Sequence, residues 1–196
     1  YFDNEIFSNF YEKVDGMEIR KKFRIRVYSS SENSQSPIFL EMKGRKNQRT
    51  YKLRTEIDKN HVNYLINNEY FDRLSKIYSS DNNVINHFIY DSLKKRIKPK
   101  VLIDYNRRAY FNKSGLLFRL TFDNNILSTQ SNELFNNKKL NFKEIKAGYT
   151  VLELKFERSI QPWFHRIIQN YNLTRMSISK FALGMEKSGF GRETSD

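Results

Sequence analysis

Cysteine is absent from the sequence, which excludes disulfides and Cys-ligated zinc and leaves the redox compartment open. No run approaches the ~18 apolar residues of a membrane-spanning helix. Familiar phosphate and hydrolase signatures are missing as well: there is no G-x-x-x-x-G-K-[ST] loop, no H-E-x-x-H helix and no G-x-S-x-G elbow. The three histidines, His61, His87 and His165, are scattered and read as surface or packing residues. No internal repeat or long linker divides the chain. No signal peptide is visible, but the sequence opens at Tyr1 rather than Met, so a preceding segment of the parent protein is expected. Negative charge is scarce: 22 Asp and Glu stand against 35 Lys and Arg, for a formal charge of +13.

What is present is basic charge and aromatic rings. A chain of 196 residues suits one domain. The apolar share is 38%, and much of it is Phe, Tyr, Ile and Leu, enough for one core with little to spare for a second. The charge balance says nothing of fold but favours a polyanionic partner: nucleic acid, anionic lipid or phosphate chains. The chain is also rich in Asn, Lys, Ile and Tyr, as AT-rich coding sequence tends to be, so the positions of the cations must decide rather than their total.

The pattern predicts three loops: Ser29 to Ser36, Ser79 to Asn83, and a long excursion from Thr129 to Lys146. Asp58 can cap a helix carrying Val62, Leu65 and Ile66. Asn82 or Asn83 can cap another with Val84, Ile85, Phe88, Ile89 and Leu93 on one face, and Pro162 can open a third through Trp163, Phe164, Ile167 and Ile168. Residues 20–28, 38–43, 50–55, 100–105, 107–111, 116–123, 149–157 and 176–184 read as strands. The tail from Glu186 to Asp196 is expected to be flexible, leaving 1–185 as the domain.

Because side chains alternate along a strand, order becomes face. Arg24 and Arg26 share one face of their strand, opposite Phe23, Ile25 and Val27. Glu41 and Lys43 oppose Leu40 and Met42, and Lys52 and Arg54 oppose Tyr51 and Leu53. Arg119, Thr121 and Asp123 share a face, as do Glu153 and Lys155. A sheet with one face in water would also alternate. Here the polar face is ionic and mostly of one sign, and like charges on strands ~4.8 Å apart repel. Such a face is retained when a polyanion neutralises it. The expected architecture is a barrel turned inside out, with apolar faces outward under helices and a lumen of converging Arg and Lys able to hold a linear phosphate chain.

These residues resemble the VTC domain, the catalytic domain of polyphosphate polymerases in the CYTH or triphosphate tunnel metalloenzyme superfamily. The blocks that carry the resemblance are Tyr1-Phe2-Asp3, Lys22-Phe23-Arg24-Ile25-Arg26-Val27-Tyr28, Phe39-Leu40-Glu41-Met42-Lys43, Tyr105-Asn106-Arg107-Arg108-Ala109-Tyr110, Arg119-Leu120-Thr121-Phe122-Asp123, Val151-Leu152-Glu153-Leu154-Lys155-Phe156 and Ser177-Ile178-Ser179-Lys180-Phe181. The resemblance implies an α+β fold: an antiparallel β-barrel tunnel with helices packed outside, here lacking the family's first strand and therefore left with an open edge. It implies phosphate ligation by Arg24, Arg26, Lys43, Lys52, Arg54, Arg107, Arg119, Lys155, Ser179 and Lys180. Of these, Arg24, Arg26, Lys43, Arg107, Arg119 and Lys180 would be catalytic, and Glu153 would ligate a divalent metal, Mn2+ or Mg2+.

The activity so implied is transfer of the γ-phosphate of ATP onto a growing inorganic polyphosphate chain, with positioning and neutralisation as the protein's main work. The placement expected is cytoplasmic, with a partner protein able to hold the domain at the inner face of a membrane. A triphosphatase with the same tunnel, or a non-catalytic module binding polyphosphate or another polyanion, remain alternatives. Binding of single-stranded nucleic acid would require rings and cations on one face. In these strands they alternate onto opposite faces, which points to phosphate without bases.

Overall fold

The computed structural model describes residues 1–29, 35–47, 49–79, 82–113, 118–135, 140–157 and 159–191. Along the chain these form β1 (Phe2–Asp3), α1 (Ser8–Val14), β2 (Ile19–Arg26), β3 (Ile38–Lys46) and β4 (Arg49–Ile57). A 3-10 turn (Lys59–His61), α2 (Val62–Asn67), α3 (Phe71–Ile77) and α4 (Asn82–Lys95) follow. The second half holds β5 (Lys98–Pro99), β6 (Val101–Phe111), β7 (Phe118–Gln130), β8 (Lys143–Glu144), β9 (Val151–Phe156), α5 (Pro162–Asn170) and α6 (Lys180–Lys187).

All pairings are antiparallel. One sheet has the order β2-β3-β4; another is built on β7, which pairs β6 on one side and β8 and β9 on the other; β1 pairs β5 in a small third sheet. The fold is thus α+β with antiparallel sheets. Among the described residues no strand pairing closes them into a barrel, because β2 and β6 each end a sheet.

The apolar face of the first sheet carries Phe23, Ile38, Leu40, Met42 and Ile57, and it is covered by Val62 and Leu65 of α2 and by Val84, Ile85 and Phe88 of α4. Phe88 is fully buried and meets Phe2 and Phe23 edge-on, with ring centroids 5.0 and 5.5 Å away. The helices therefore lie on the oily side of this sheet and leave its ionic side uncovered by them. Asp58 does act as a cap: its carboxylate accepts from the Asn60 N–H at 2.8 Å and starts the turn that leads into α2. A smaller core joins Phe10 of α1, Val101 of β6, and Phe181, Ala182 and Met185 of α6. Gly184 lets α6 approach β6 closely, since a Cβ there would stand 2.8 Å from the Ile103 side chain.

Several expectations change. Residues 176–184 are not a strand. Ser179 accepts from the Ala182 N–H and opens α6, whose buried Phe181, Ala182 and Met185 recur at helical spacing. Residues 101–111 form one strand rather than two. The excursion from Thr129 begins while β7 is still running, and it returns apolar Leu134 and Phe135 to the main core. Helices α1 and α3 carry too little apolar periodicity in seven residues each to announce themselves. For α1 the missing signal lies outside the helix: the buried Asp3 carboxylate accepts from the backbone N–H groups of Asn9 and Phe10 at 3.0 Å, two donors a helix start leaves unpaired. Residue 186 falls inside α6, and Phe190 beyond it packs on Phe7 at 5.1 Å; residues 192–196, with 30–34 and 80–81 of the expected loops at Ser29 to Ser36 and Ser79 to Asn83, lie outside the described residues, and Asn82 and Asn83 already belong to α4.

The packing of Phe88 generates a prediction. Phe88→Ala should lower unfolding free energy by ~3–5 kcal/mol, as for a fully buried ring. Leu93→Ala, on the exposed side of the same helix at 66% accessibility, should change it by less than ~0.5 kcal/mol. Urea unfolding midpoints of the two variants check both.

Candidate anion-binding site

Strand register places the cations in rows. Arg24 lies opposite Glu41, which lies opposite Arg54; one step along, Lys22 lies opposite Lys43, which lies opposite Lys52. On the second sheet Arg107 faces Asp123, Thr121 faces Glu153 and Arg119 faces Lys155. Between the sheets is a cavity of about 740 Å3, lined by residues 24–29 on the β2 side and 101–107 on the β6 side, with Ala109, Arg119 and residues 131–135. Consecutive residues of β2 and β6 border it, so it runs along their free edges. Arg24, Arg26, Arg107 and Arg119 all line it. A more open hollow lined by Asp72, Ser75, Lys76, Ser79 and Asn86 carries none of these residues.

Some of the cations are neutralised within the protein. Glu41, wholly buried, accepts from Arg24 Nε at 2.8 Å and pairs with Arg24 Nη2 and Lys52 Nζ, both at 2.6 Å. Burial opposes its charge, yet Arg24 and Lys52 outweigh burial and bring its pKa down to about 2. Asp123, also wholly buried, accepts both arms of the Arg107 fork at 2.6 Å and pairs with Lys180 Nζ at 2.6 Å. Burial again opposes, and the Arg107 and Lys180 bonds again win, holding Asp123 below the usual carboxylate range.

Other cations have no such partner. Among the described residues Arg26, Arg119 and Lys43 make no ion pair, and the Arg119 Nε is buried without a hydrogen-bond partner. Lys22 donates to the Ser179 hydroxyl, at 3.3 Å, and lies 4.7 Å from the Phe181 ring centroid. Burial, reinforced by Arg24, pulls the Lys43 pKa down to about 7; burial, reinforced by Lys43 and Arg24, pulls Lys22 down to about 8. An ammonium removed from water without a counter-ion is unfavourable, so the site is electrostatically incomplete as it stands.

Rings and cations share faces, contrary to the sequence-based expectation. The Tyr105 ring centroid lies 5.9, 5.3 and 5.1 Å from Arg26, Arg107 and Lys180. Arg26 also meets Tyr28 at 4.6 Å, Arg54 meets Phe39 at 4.7 Å and Arg119 meets Phe111 at 4.9 Å. The parity was legible: Tyr28 is even like Arg24 and Arg26, and Tyr105 is odd like Arg107. These rings spread along the cations and soften their mutual repulsion.

The remaining candidates sit further out. Lys52 and Arg54 are on exposed β4, and Lys155 is on β9 with a side chain 57% exposed. Ser179 is occupied as the α6 cap and as the Lys22 acceptor. Glu153 faces Arg107 at 3.4 Å and Lys155 at 3.5 Å, contacts far looser than those of Glu41 and Asp123. Lys155 and Arg107 together overcome its burial and hold it ionised. Among the described residues no three carboxylate or imidazole groups cluster as metal ligands. A divalent cation therefore fits only with Glu153 as a single protein ligand and phosphate oxygens supplying the rest, a shell that Mg2+ commonly accepts. Tyr1, Lys22 and Tyr105 are site residues the sequence reading did not single out; Tyr1 joins the site through its hydroxyl, which accepts from Arg24 Nη1 at 2.7 Å.

The depressed lysines predict proton uptake. A bound anion restores their affinity for protons, so at pH 8 binding should draw protons from solution, and much less so at pH 6, where both are already charged. Affinity should fall as pH rises from 6 to 9. Trimetaphosphate, which does not itself titrate near neutrality, is a suitable probe. Calorimetry at pH 8 in buffers of different ionisation enthalpy should give a buffer-dependent signal; a buffer-independent enthalpy would contradict the assignment.

Over residues 1–188 the sequence matches the family model of the VTC domain. No curated protein matches it. With nearly its whole length accounted for, the chain belongs to the VTC domain family.

Proposed function

We propose that this domain is a polyphosphate polymerase domain, transferring the γ-phosphate of ATP onto the end of an inorganic polyphosphate chain held among the cations. Membership of the VTC family supports a function related to polyphosphate synthesis. The observation that carries the finer reading is that two cations with no carboxylate partner among the described residues, Arg26 and Arg119, line one cavity between the two sheets, with Lys43, also unpaired there, near enough to Arg24 and Arg26 for their charges to lower its pKa.

The chemistry asks little else of the protein. A terminal oxygen of the acceptor chain, already ionised at neutral pH, attacks the γ-phosphorus of ATP; the bond from that phosphorus to the β,γ-bridging oxygen breaks, and ADP leaves. No protein base is needed, in keeping with a cavity lined by no histidine; His61 hydrogen-bonds the Tyr78 hydroxyl at 2.9 Å, away from it. Arginine forks bind phosphate oxygens in pairs and align donor and acceptor. The buried, low-dielectric setting strengthens each of these contacts. A divalent metal on Glu153 and phosphate oxygens would offset charge on the transferring group.

A second reading, a binding module without turnover, is favoured by the pairing of Glu153 with Arg107 and Lys155, cations that would compete with a metal for its carboxylate. Among those residues no helix is long and apolar enough to cross a membrane.

Incubation with ATP and Mn2+, followed by separation of products, tests the proposal. Polymer is expected. Release of free phosphate alone would identify a triphosphatase, and binding of tripolyphosphate without turnover would identify a binding module. Glu153→Gln should abolish Mn2+-dependent turnover while tripolyphosphate affinity stays within about threefold. Arg119→Ala should weaken that affinity at least tenfold.

A further inference from the structure

The two sheets repeat one device. Each has a wholly buried carboxylate on an inner strand, Glu41 on β3 and Asp123 on β7. Each carboxylate holds one arginine from the neighbouring strand and one lysine: Arg24 of β2 and Lys52 of β4 in one case, Arg107 of β6 and Lys180 of α6 in the other. The contacts are short, 2.6–2.8 Å, and they use the Nε edge of each guanidinium. Arg24 is committed further, since its Nη1 donates to the Tyr1 hydroxyl. The cations thus fall into two classes: Arg24, Lys52, Arg107 and Lys180 are held by carboxylates, while Arg26, Arg119 and Lys43 pair with none among the described residues.

We infer that Glu41 and Asp123 are positioning residues for the phosphate site, fixing the held cations as a stationary positive frame and leaving the unpaired cations to make the principal phosphate contacts. This rests on the polyphosphate reading above. A carboxylate inside an anion site lowers the positive potential there, so on charge alone its removal should strengthen anion binding. Its presence at full burial, with both oxygens engaged, serves geometry: a fixed fork loses little conformational freedom when the ligand arrives. The two effects have opposite sign, and that makes the inference testable. The held arginines spend their Nε and Nη2 groups on carboxylates, and Arg24 spends an Nη1 hydrogen on Tyr1 as well, whereas among the described residues Arg26 and Arg119 keep whole forks free of carboxylates.

The test is calorimetric titration of tripolyphosphate, at fixed ionic strength, into the wild-type domain, Glu41→Gln, Asp123→Asn and Glu41→Asp. Thermal unfolding of each protein is recorded alongside. Wild type should bind, and each variant should bind at least tenfold more weakly, although the Gln and Asn changes make the site more positive. Unchanged or tighter binding by folded Glu41→Gln or Asp123→Asn would overturn the inference. Should those two fail to fold, Glu41→Asp decides, because it keeps the charge and retracts the carboxylate by one methylene. A tenfold loss with a transition midpoint near that of wild type, and a shallower dependence of affinity on salt, supports positioning; wild-type affinity overturns it. Failure of the wild type to bind tripolyphosphate would remove the polyphosphate reading and this inference together, whereas wild-type binding with unaltered variants removes this inference alone.

Discussion

Cations crowded on one face of each sheet are the constraint to which the rest of this structure answers. Lys22, Lys43 and Lys52 stand directly opposite one another across three strands, an arrangement that costs free energy in any folded protein. Hydrophobic burial on the reverse face compensates. Phe23, Leu40 and Met42 sit on β2 and β3 between those charged positions, and α2 and α4 close over them. The second sheet has its counterpart in the contacts of Val101 with Phe10, Phe181 and Met185. The order of oily and ionic residues along each strand is therefore what brings the charges together: once the apolar side chains are drawn under helices, the alternate positions turn to the opposite face of each sheet, where Arg24, Arg26, Arg107 and Arg119 reach one cavity.

Within that space the protein neutralises part of its own charge and leaves part of it exposed to a ligand. Glu41 and Asp123 each satisfy two cations at hydrogen-bond distance, and the face of the Tyr105 ring lies 5.1–5.9 Å from Lys180, Arg107 and Arg26, the first two of which Asp123 also holds. Lys43 and Lys22 are buried with no carboxylate paired to them among the described residues, and burial beside other cations lowers their affinity for protons. A linear polyanion complements such a site because it delivers many oxygens at once without bringing a bulky framework. Glu153 is loosely held and half-exposed, and on the proposed reading it would be the ligand for a metal that arrives with phosphate.

Much of this was legible before any coordinates. The strand alternation in residues 23–27, 39–43, 51–54, 118–123 and 152–156 located strands of both sheets and the shared faces of Arg24, Arg26, Lys43, Lys52, Arg54, Arg119 and Lys155, because a period of two leaves no freedom once a strand is recognised; Arg107 and Lys180 entered through the family resemblance alone. The pairing of strands into closed or open sheets was not legible, since alternation says which face a residue takes and nothing about which edge meets which. The helix at Lys180–Lys187 escaped because Ser177-Ile178-Ser179 alternates like a strand up to the capping serine. Helix α1 escaped because its start is fixed by Asp3, several residues upstream. Rings were placed on the wrong face by attending to Phe23 and Leu40 and passing over Tyr28, Phe39 and Tyr105, whose parity matched the cations. The split between held and unpaired arginines depends on register across strands, which one strand's sequence does not contain.

The central claim is that cations from separate strands act together on one phosphate chain. A crystal structure of the domain with tripolyphosphate tests it most directly. The account predicts density for the triphosphate between the sheets, with oxygens within hydrogen-bond distance of Arg26, Arg119 and Lys43 and with the Glu41 and Asp123 ion pairs intact. Triphosphate bound on the outer surface, or between the sheets with those three side chains turned away, would contradict it.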